Sequence, residues 1–252
     1  MRLRAQHRLG RDGNSGFSLV ELLVVMGVIV LLSAFALPAL TGLKTAQDVS
    51  SGAYAIAAAL DRAKTFAVAN HTYVWLGFYE EDANSTVPST AKPPYRGAGR
   101  VVIASVYSVD GTALNSGSSA PGVLASSEIR QLGSIIKIPG IHLTDIGAPS
   151  GSGDAIELRP GFAYSPDDPA ARINSDADQA SDYPFSTQGY EFYKTVRFSP
   201  SGEALVNGAT LPKHAAEIGI RLARTNTVDN RSKYVAAVQV TGLAGGISVY
   251  RR

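Results

Sequence analysis

An almost uncharged run near the start of the chain constrains its fold most strongly. The twenty-four residues Phe17–Leu40 contain one charged side chain, Glu21. As an α-helix the run would be roughly 36 Å long at about 1.5 Å per residue, which is enough to cross a hydrocarbon layer of ~30 Å. A core helix of a water-soluble protein is seldom this long and this apolar. The run therefore predicts a single membrane crossing.

The segment before this run, residues 1–16, is basic. It carries Arg2, Arg4, Arg8 and Arg11 against Asp12, whereas residues 17–252 hold 19 basic and 20 acidic side chains. Basic flanks of membrane helices stay in the cytoplasm. We therefore expect a single-pass membrane protein with a cytoplasmic N-terminus and its long C-terminal part on the other side of the membrane.

The chain of 252 residues contains no cysteine. This excludes a disulfide scaffold, thiolate metal sites and cysteine nucleophiles. A chain of this length buries enough apolar surface to fold without a metal or a disulfide. We therefore expect the exported part to be held together by its hydrophobic core.

Three kinds of N-terminal segment share this outline. A secretory signal would use Ala34-Phe35-Ala36 as its cleavage site, but its apolar core would be shorter and would contain no carboxylate. A plain signal anchor explains the length of the run, but neither Glu21 nor the boundary between Gly16 and Phe17. A third kind of segment accounts for all of these features.

The residues Gly16-Phe17-Ser18-Leu19-Val20-Glu21, followed by the apolar run, resemble the signal of type IV prepilins and pseudopilins. The resemblance implies cleavage after Gly16 by a prepilin peptidase and N-methylation of Phe17 by the same peptidase/methylase. It also implies assembly through Glu21 with other pilins or pseudopilins in a hetero-oligomeric filament.

The physical chemistry of Glu21 is consistent with such a role. A charge inside a bilayer costs on the order of 3 kcal/mol, so the carboxylate needs a partner. Cleavage after Gly16 would create an α-amine on Phe17, and in a pair of packed helices one carboxylate would neutralise the neighbour's amine. Pro38 interrupts the same helix and predicts a kink.

The remaining residues predict an α+β fold, in which one long helix is followed by a mostly antiparallel β-sheet. Residues 41–70 continue the membrane helix as an amphipathic section, with a stripe of small and apolar side chains and with Asn70 as a left-handed cap. Short β-branched and aromatic runs separated by turn residues predict strands. They are His71–Tyr79, Arg100–Val109, Ser134–Ile138, Ala155–Leu158, Lys194–Phe198, Glu217–Ala223, Tyr234–Val240 and Gly246–Tyr250.

These elements give four predicted segments: a leader at 1–16, a transmembrane assembly helix at 17–40, an amphipathic helix at 41–70 and a β-rich periplasmic domain at 71–252. The stretches AAALDRAKTFAVANHTYVWLGF and VRFSPSGEAL resemble the GspH/FimT group of minor pseudopilins. The loops 80–99, 111–127 and 160–193 are long and polar, and a pilin-type cysteine pair is absent.

The sequence contains one weak candidate for a metal site and no recognisable catalytic motif. The sequence has no HExxH, P-loop, GxGxxG or GxSxG motif, and no local pair of a nucleophile and a base. We therefore expect no enzyme activity and no cofactor, although a triad assembled from distant segments stays open. Asp176, Asp178 and Asp182 form a weak calcium candidate, because the segment lacks the glycine and the glutamate of a calcium loop.

The C-terminal stretch 217–252 is basic, with six basic side chains against two acidic ones. Arg221, Arg224, Arg251 and Arg252 are the candidate contacts to nucleic acid phosphates. We favour solvated charge, or contact with an acidic neighbour, over DNA binding. The sequence thus predicts a minor pilin or pseudopilin of a type II secretion system or type IV pilus. A DNA-binding minor pilin of an uptake apparatus and a membrane-anchored envelope protein with an unrelated β-rich domain are the alternatives.

Overall fold

The architecture was obtained as a computed structural model, which describes residues 18–95, 97–114, 124–146, 156, 159, 172–175, 184–206, 216–230 and 232–252. Within the helix and strands, the side chains of 35–46, 206 and 216 are not described. Contacts divide the chain into two units, with the boundary between Leu43 and Lys44. Helix α1, Leu19–Ala69, is 51 residues long.

Fourteen strands are found among the described residues. They are β1 (Val74–Asp82), β2 (Gly99–Ser108), β3 (Ile129–Gln131), β4 (Ile136–Pro139), β5 (Ile141–Leu143), β6 (Arg172–Ile173), β7 (Phe185–Thr187), β8 (Tyr190–Phe192), β9 (Lys194–Phe198), β10 (Ala204–Val206), β11 (Ala216–Arg224), β12 (Thr227–Val228), β13 (Val235–Val240) and β14 (Ile247–Arg251). Of the strands expected from sequence, Ala155–Leu158 lies outside the described residues except for Ile156.

The strands form two larger sheets and one hairpin. The first sheet has the order β10-β9-β1-β2-β3, with β4 also paired to β2, and the second has the order β12-β11-β13-β14, with β5 and β6 paired to β11. Every described pairing is antiparallel except that of β6 with β11. The predicted α+β class with mostly antiparallel strands is therefore confirmed.

One bent stretch of chain connects the two larger sheets. Gly140 alone separates β4, which pairs with β2, from β5, which pairs with β11. Its backbone adopts φ +82, which a residue with a side chain adopts at a cost. The Gly140 N–H donates to the Gly99 carbonyl at 2.8 Å, and its own carbonyl accepts from the Ala223 N–H at 3.0 Å. The bend thus hydrogen-bonds to both sheets.

The main core lies between the C-terminal part of α1 and both larger sheets. The predicted helical stripe supplies Ile56, Leu60 and Ala63, which are fully buried with Leu76 of β1 and Val238 of β13. Because these apolar side chains recur every three or four residues, they lie on one face of the helix.

The cap that ends α1 differs from the expectation. His71, not Asn70, adopts the left-handed conformation, with φ 49. The Thr72 N–H donates to the Ala67 carbonyl at 3.0 Å, the long bond of a Schellman motif. Asn70 instead donates its side-chain amide to the Phe66 carbonyl at 3.0 Å. The cap is therefore one residue later than predicted.

A second core covers the outer face of the first sheet. The hairpin β7–β8 supplies Phe185 and Phe192, whose rings stack at 5.0 Å. Both pack over Gly77, where an added Cβ would lie 2.5 Å from the Cβ of Phe192. Expecting only a polar loop over 160–193 was therefore wrong, because part of this segment is a buried aromatic hairpin.

Gly77→Val is expected to lower the free energy of unfolding by about 3 kcal/mol, because the new side chain would displace the hairpin from the sheet. Chemical denaturation of the full chain in detergent would measure the change. Ala125→Val, at an exposed position, is the matched control and should stay within about 0.5 kcal/mol of the parent. Equal stability of the two variants would contradict this packing.

Candidate assembly site

The N-terminus of α1 is capped by a reciprocal pair of hydrogen bonds between two residues of the predicted signal motif. The Ser18 N–H donates to Oε2 of Glu21 at 2.9 Å, and the Glu21 N–H donates to Oγ of Ser18 at 3.1 Å. This is a capping box, which satisfies two backbone donors that would otherwise lack a helical partner. It also places the carboxylate at the positive end of the helix dipole.

The side chains that follow the capping box are apolar and exposed. Every described side chain from Ser18 to Ala34 is exposed, and the large apolar ones range from 50% exposed at Val28 to 81% at Leu19. An exposed apolar surface of this extent is typical of a region that another protein or lipid covers. In the described part of the chain, no helix combines the length and the apolarity that a membrane crossing needs.

The other predicted features of this segment are described only in part. Gly16 and Phe17, the predicted cleavage and methylation sites, lie outside the described residues. Pro38 lies within the bounds of α1, but its side chain is not among those described. The kink at Pro38 and the processing after Gly16 therefore stay predictions.

The four C-terminal arginines do not share one surface. Arg221 is 7% exposed, and its Nη1 donates to the Asn230 carbonyl at 3.1 Å. Residues directly opposite each other in neighbouring strands share a face, and successive residues alternate between faces. Arg221 is opposite Val235, whereas Arg251 is opposite Ala236. Arg221 and Arg251 therefore point to opposite faces of the sheet.

Arg224 and Arg251 share a face but are well separated along it. The register places Ile220 and Arg251 in one row across Ala236, and Arg224 is four residues further along β11. The two arginines are therefore separated by roughly 13 Å along the strands, at about 3.3 Å per residue, and by two strand spacings across the sheet. Arg224, Arg251 and Arg252 are exposed, but the structure does not bring the four candidates together.

The calcium candidates Asp176, Asp178 and Asp182 lie outside the described residues. Their neighbour Asn174 is described and is buried. Its side-chain amide donates to Asp145 at 2.8 Å, and both its oxygens accept from the Lys194 ammonium. Among the residues that the structure describes, no group of three or more His, Asp or Glu side chains is placed to hold a metal ion.

A buried carboxylate, which sequence reasoning missed, lies where the two larger sheets meet. Glu80 of β1 is 1% exposed, and Nδ1 of His142 on β5 lies 2.9 Å from its Oε1. Its Oε2 accepts from the Leu143 N–H at 3.1 Å and from the Ser175 hydroxyl. The Gly99 N–H at the start of β2 donates to Oε1 at 3.3 Å. We call these groups the Glu80 junction.

The Glu80 junction brings together the residue types of a hydrolase triad, but with different bonding. In a triad the serine hydroxyl faces the histidine, whereas the hydroxyl of Ser175 donates to Glu80. Ser175 and His142 are 1% and 5% exposed, so a substrate does not reach them. The arrangement satisfies a buried charge and ties β1 to β5.

Two further buried carboxylates are paired with arginines. Arg159 lies 2.7 Å from Glu217, whose second partner is Gln239 at 3.1 Å. Burial raises the pKa of Glu217 above its ordinary value, and the Arg159 guanidinium opposes that shift. Arg100 lies 2.6 Å from Glu81. These pairs neutralise buried charges rather than form an open site.

Comparison with known proteins finds similarity in one part of the chain. The family model described as the prokaryotic N-terminal methylation motif matches residues 11–37. No curated protein and no solved structure matches the chain. The matched span contains Gly16, Phe17 and Glu21, so the chain carries a prepilin-type motif of the kind found in type IV pilin-like proteins.

Proposed function

We propose that the chain is a prepilin-type structural subunit, a minor pilin or pseudopilin. In this proposal it is processed after Gly16 and assembled through α1 into a type II secretion pseudopilus or a type IV pilus. The observation that carries the proposal is the match of the methylation motif to residues 11–37. The narrower likeness to GspH/FimT-type minor pseudopilins rests on the two sequence stretches that resemble that group.

The proposed location is the bacterial inner membrane. Residues 1–16 would be cytoplasmic, the run Phe17–Leu40 would cross the bilayer, and residues 71–252 would form the periplasmic domain. Support comes from the arginine-rich leader and from the exposed apolar side chains between Ser18 and Ala34. After assembly the same side chains would be covered by neighbouring subunits.

Processing would prepare the site that Glu21 occupies. Hydrolysis of the Gly16–Phe17 peptide bond by one water molecule would leave a carboxylate on the leader and an α-amine on Phe17. The peptidase/methylase would then transfer a methyl group to this amine from a methyl sulfonium donor, which would leave as a neutral thioether while the amine loses a proton. The capping box engages Oε2 of Glu21, and no hydrogen bond to Oε1 is made within the described residues. Ser18 thus fixes the carboxylate while leaving one oxygen for the amine of a neighbouring subunit.

Glu21→Gln is the variant that tests assembly. The amide keeps the size of the side chain but removes the charge that would neutralise the neighbour's amine, a large loss where water is excluded. We expect cleavage after Gly16 to continue, while N-methylation and recovery of the subunit in filaments fall about ten-fold or more. Immunoblotting of sheared filaments and mass spectrometry of the N-terminus measure the two effects separately.

The control for this test is Asp61→Asn, which removes an exposed carboxylate from the same helix outside the motif. It should assemble like the parent. Equal amounts of the Glu21→Gln and parent subunits in filaments would refute the proposed role of Glu21.

We do not extend the proposal to DNA binding or catalysis. The arginines that suggested DNA binding are spread over two faces of the second sheet, and Arg221 is buried. The prepilin-type motif is associated with structural subunits. A gel shift with DNA that weakens steeply with added salt would support the DNA-binding alternative.

A further inference from the structure

Strand β14 lies at the edge of the second sheet. On its inner side, the Arg252 N–H donates to the Val235 carbonyl at 3.2 Å, and the Thr241 N–H donates to the Gly246 carbonyl at 2.9 Å. Hydrogen-bonded and non-hydrogen-bonded pairs alternate along an antiparallel ladder. The even-numbered residues therefore bond to β13, and the backbone groups of Ile247, Val249 and Arg251 point away from it. Among the described strands, none pairs with this outer edge.

A groove of about 450 Å³ runs beside β14. Its lining residues are Ser50, Ile156, Val249, Tyr250, Arg251 and Arg252. Ser50 belongs to α1, so the groove lies between the helix and the outer edge of the strand. Its volume falls in the range of sites that hold small ligands or several side chains. A strand added to β14 could therefore place alternate side chains in this groove.

The charge of the groove favours an acidic occupant. Among the described residues that line it, Arg251 supplies a positive charge and none is a carboxylate. The Arg251 guanidinium lies 5.3 Å from the ring centroid of Tyr54 on α1, and the contact holds this exposed cation beside the groove. A carboxylate on an incoming strand would find a positioned partner here. A second copy of this chain would bring its own Arg251 to the edge, and β14 contains no carboxylate to pair with it.

We propose that β14 is a strand-addition site for an extended, carboxylate-bearing segment of another protein. Backbone hydrogen bonds to Ile247, Val249 and Arg251 would supply affinity, as in other cases of β-augmentation. Arg251 would select acidic over basic segments. The proposal concerns the unit Lys44–Arg252 and does not depend on processing at Gly16, so either proposal can fail without the other.

The test uses the full chain in detergent micelles and two labelled heptapeptides of alternating valine and threonine. One peptide carries two aspartates, and the other carries lysines at the same positions. Fluorescence anisotropy should show that the acidic peptide binds at least about ten-fold more tightly than the basic peptide. Arg251→Glu should reverse this preference.

A second pair of variants tests the backbone contact. Val249→Pro removes an outward N–H without breaking a bond to β13, which proline tolerates at a sheet edge. It should weaken binding of the acidic peptide at least about ten-fold, whereas Val249→Thr, which keeps the N–H, should not. Thermal unfolding checks that both variants fold, and if Val249→Pro does not, the charge reversal at Arg251 decides.

Three results would overturn the proposal. The first is equal binding of the acidic and basic peptides. The second is unchanged binding by a folded Val249→Pro variant. The third is a DNA duplex or a second copy of the chain that occupies the groove more tightly than the acidic peptide does.

Discussion

Glu80→Gln is expected to lower the free energy of unfolding by about 3 kcal/mol, although it changes only one atom of the side chain. The carboxylate of Glu80 is buried and accepts hydrogen bonds from an imidazole, a hydroxyl and two backbone N–H groups. A glutamine offers one oxygen and turns an NH₂ group toward donors. Leaving buried hydrogen-bond donors without their acceptor typically costs about 1–3 kcal/mol for each group.

Chemical denaturation of the detergent-solubilised chain would measure this loss. Glu128→Gln is the matched control, since Glu128 is exposed, and it should change stability by less than about 0.5 kcal/mol. Glu80 and His142 share one hydrogen bond. The double variant Glu80→Gln/His142→Gln should therefore lower the free energy of unfolding by less than the sum of the two single variants. A loss at Glu80 no greater than at Glu128 would show that the junction does not hold the sheets together.

Gly16→Leu is expected to abolish processing almost completely. A glycine lets the backbone approach a protein surface without a side chain in between, and the resemblance to prepilins assigns the cleaved bond to its carboxyl side. A leucine at this position should leave the leader attached and keep the chain out of filaments. The intact mass of the purified chain would show whether residues 1–16 are present.

The control for Gly16→Leu is Gly13→Leu, which makes the same change three residues earlier in the leader. It should be processed like the parent. Efficient cleavage of Gly16→Leu at the bond before Phe17 would contradict the assignment of the site, whereas cleavage elsewhere would indicate a different peptidase.

Features that depend on neighbours in sequence could be predicted from sequence. The stripe of Ile56, Leu60 and Ala63 has helical spacing, and it forms the buried face of α1. The turn Ser199–Gly202 joins β9 to β10, with Gly202 at φ +86 as such turns require. In both cases local chemistry and the fold select the same conformation.

Features that depend on residues distant in sequence could not be predicted from sequence. His142 and Ser175 are 62 and 95 positions from Glu80, and no spacing rule links them. The strand Tyr190–Phe192 is short and lies among polar residues, so its local pattern does not mark it as buried. Its burial depends on the space that Gly77 leaves on a strand more than a hundred positions earlier.

The arginines illustrate a second reason why prediction from sequence failed. Their closeness in sequence indicated one basic surface, but alternate residues of a strand point to opposite faces. Arg221 is paired with Val235, whereas Arg251 is paired with the next residue, Ala236. The two arginines therefore lie on different sides of the sheet. Only the strand register contains this information. The register also points the backbone groups of Ile247, Val249 and Arg251 away from β13.

The central claim is that this chain is a prepilin-type subunit, and the mature N-terminus tests it most directly. The chain would be purified from whole cells of its native host, and its N-terminal peptide would be sequenced by mass spectrometry. The account predicts a first residue of N-methylated Phe17. A chain that begins at Leu37, after cleavage behind Ala36, or one that retains Met1, would contradict it.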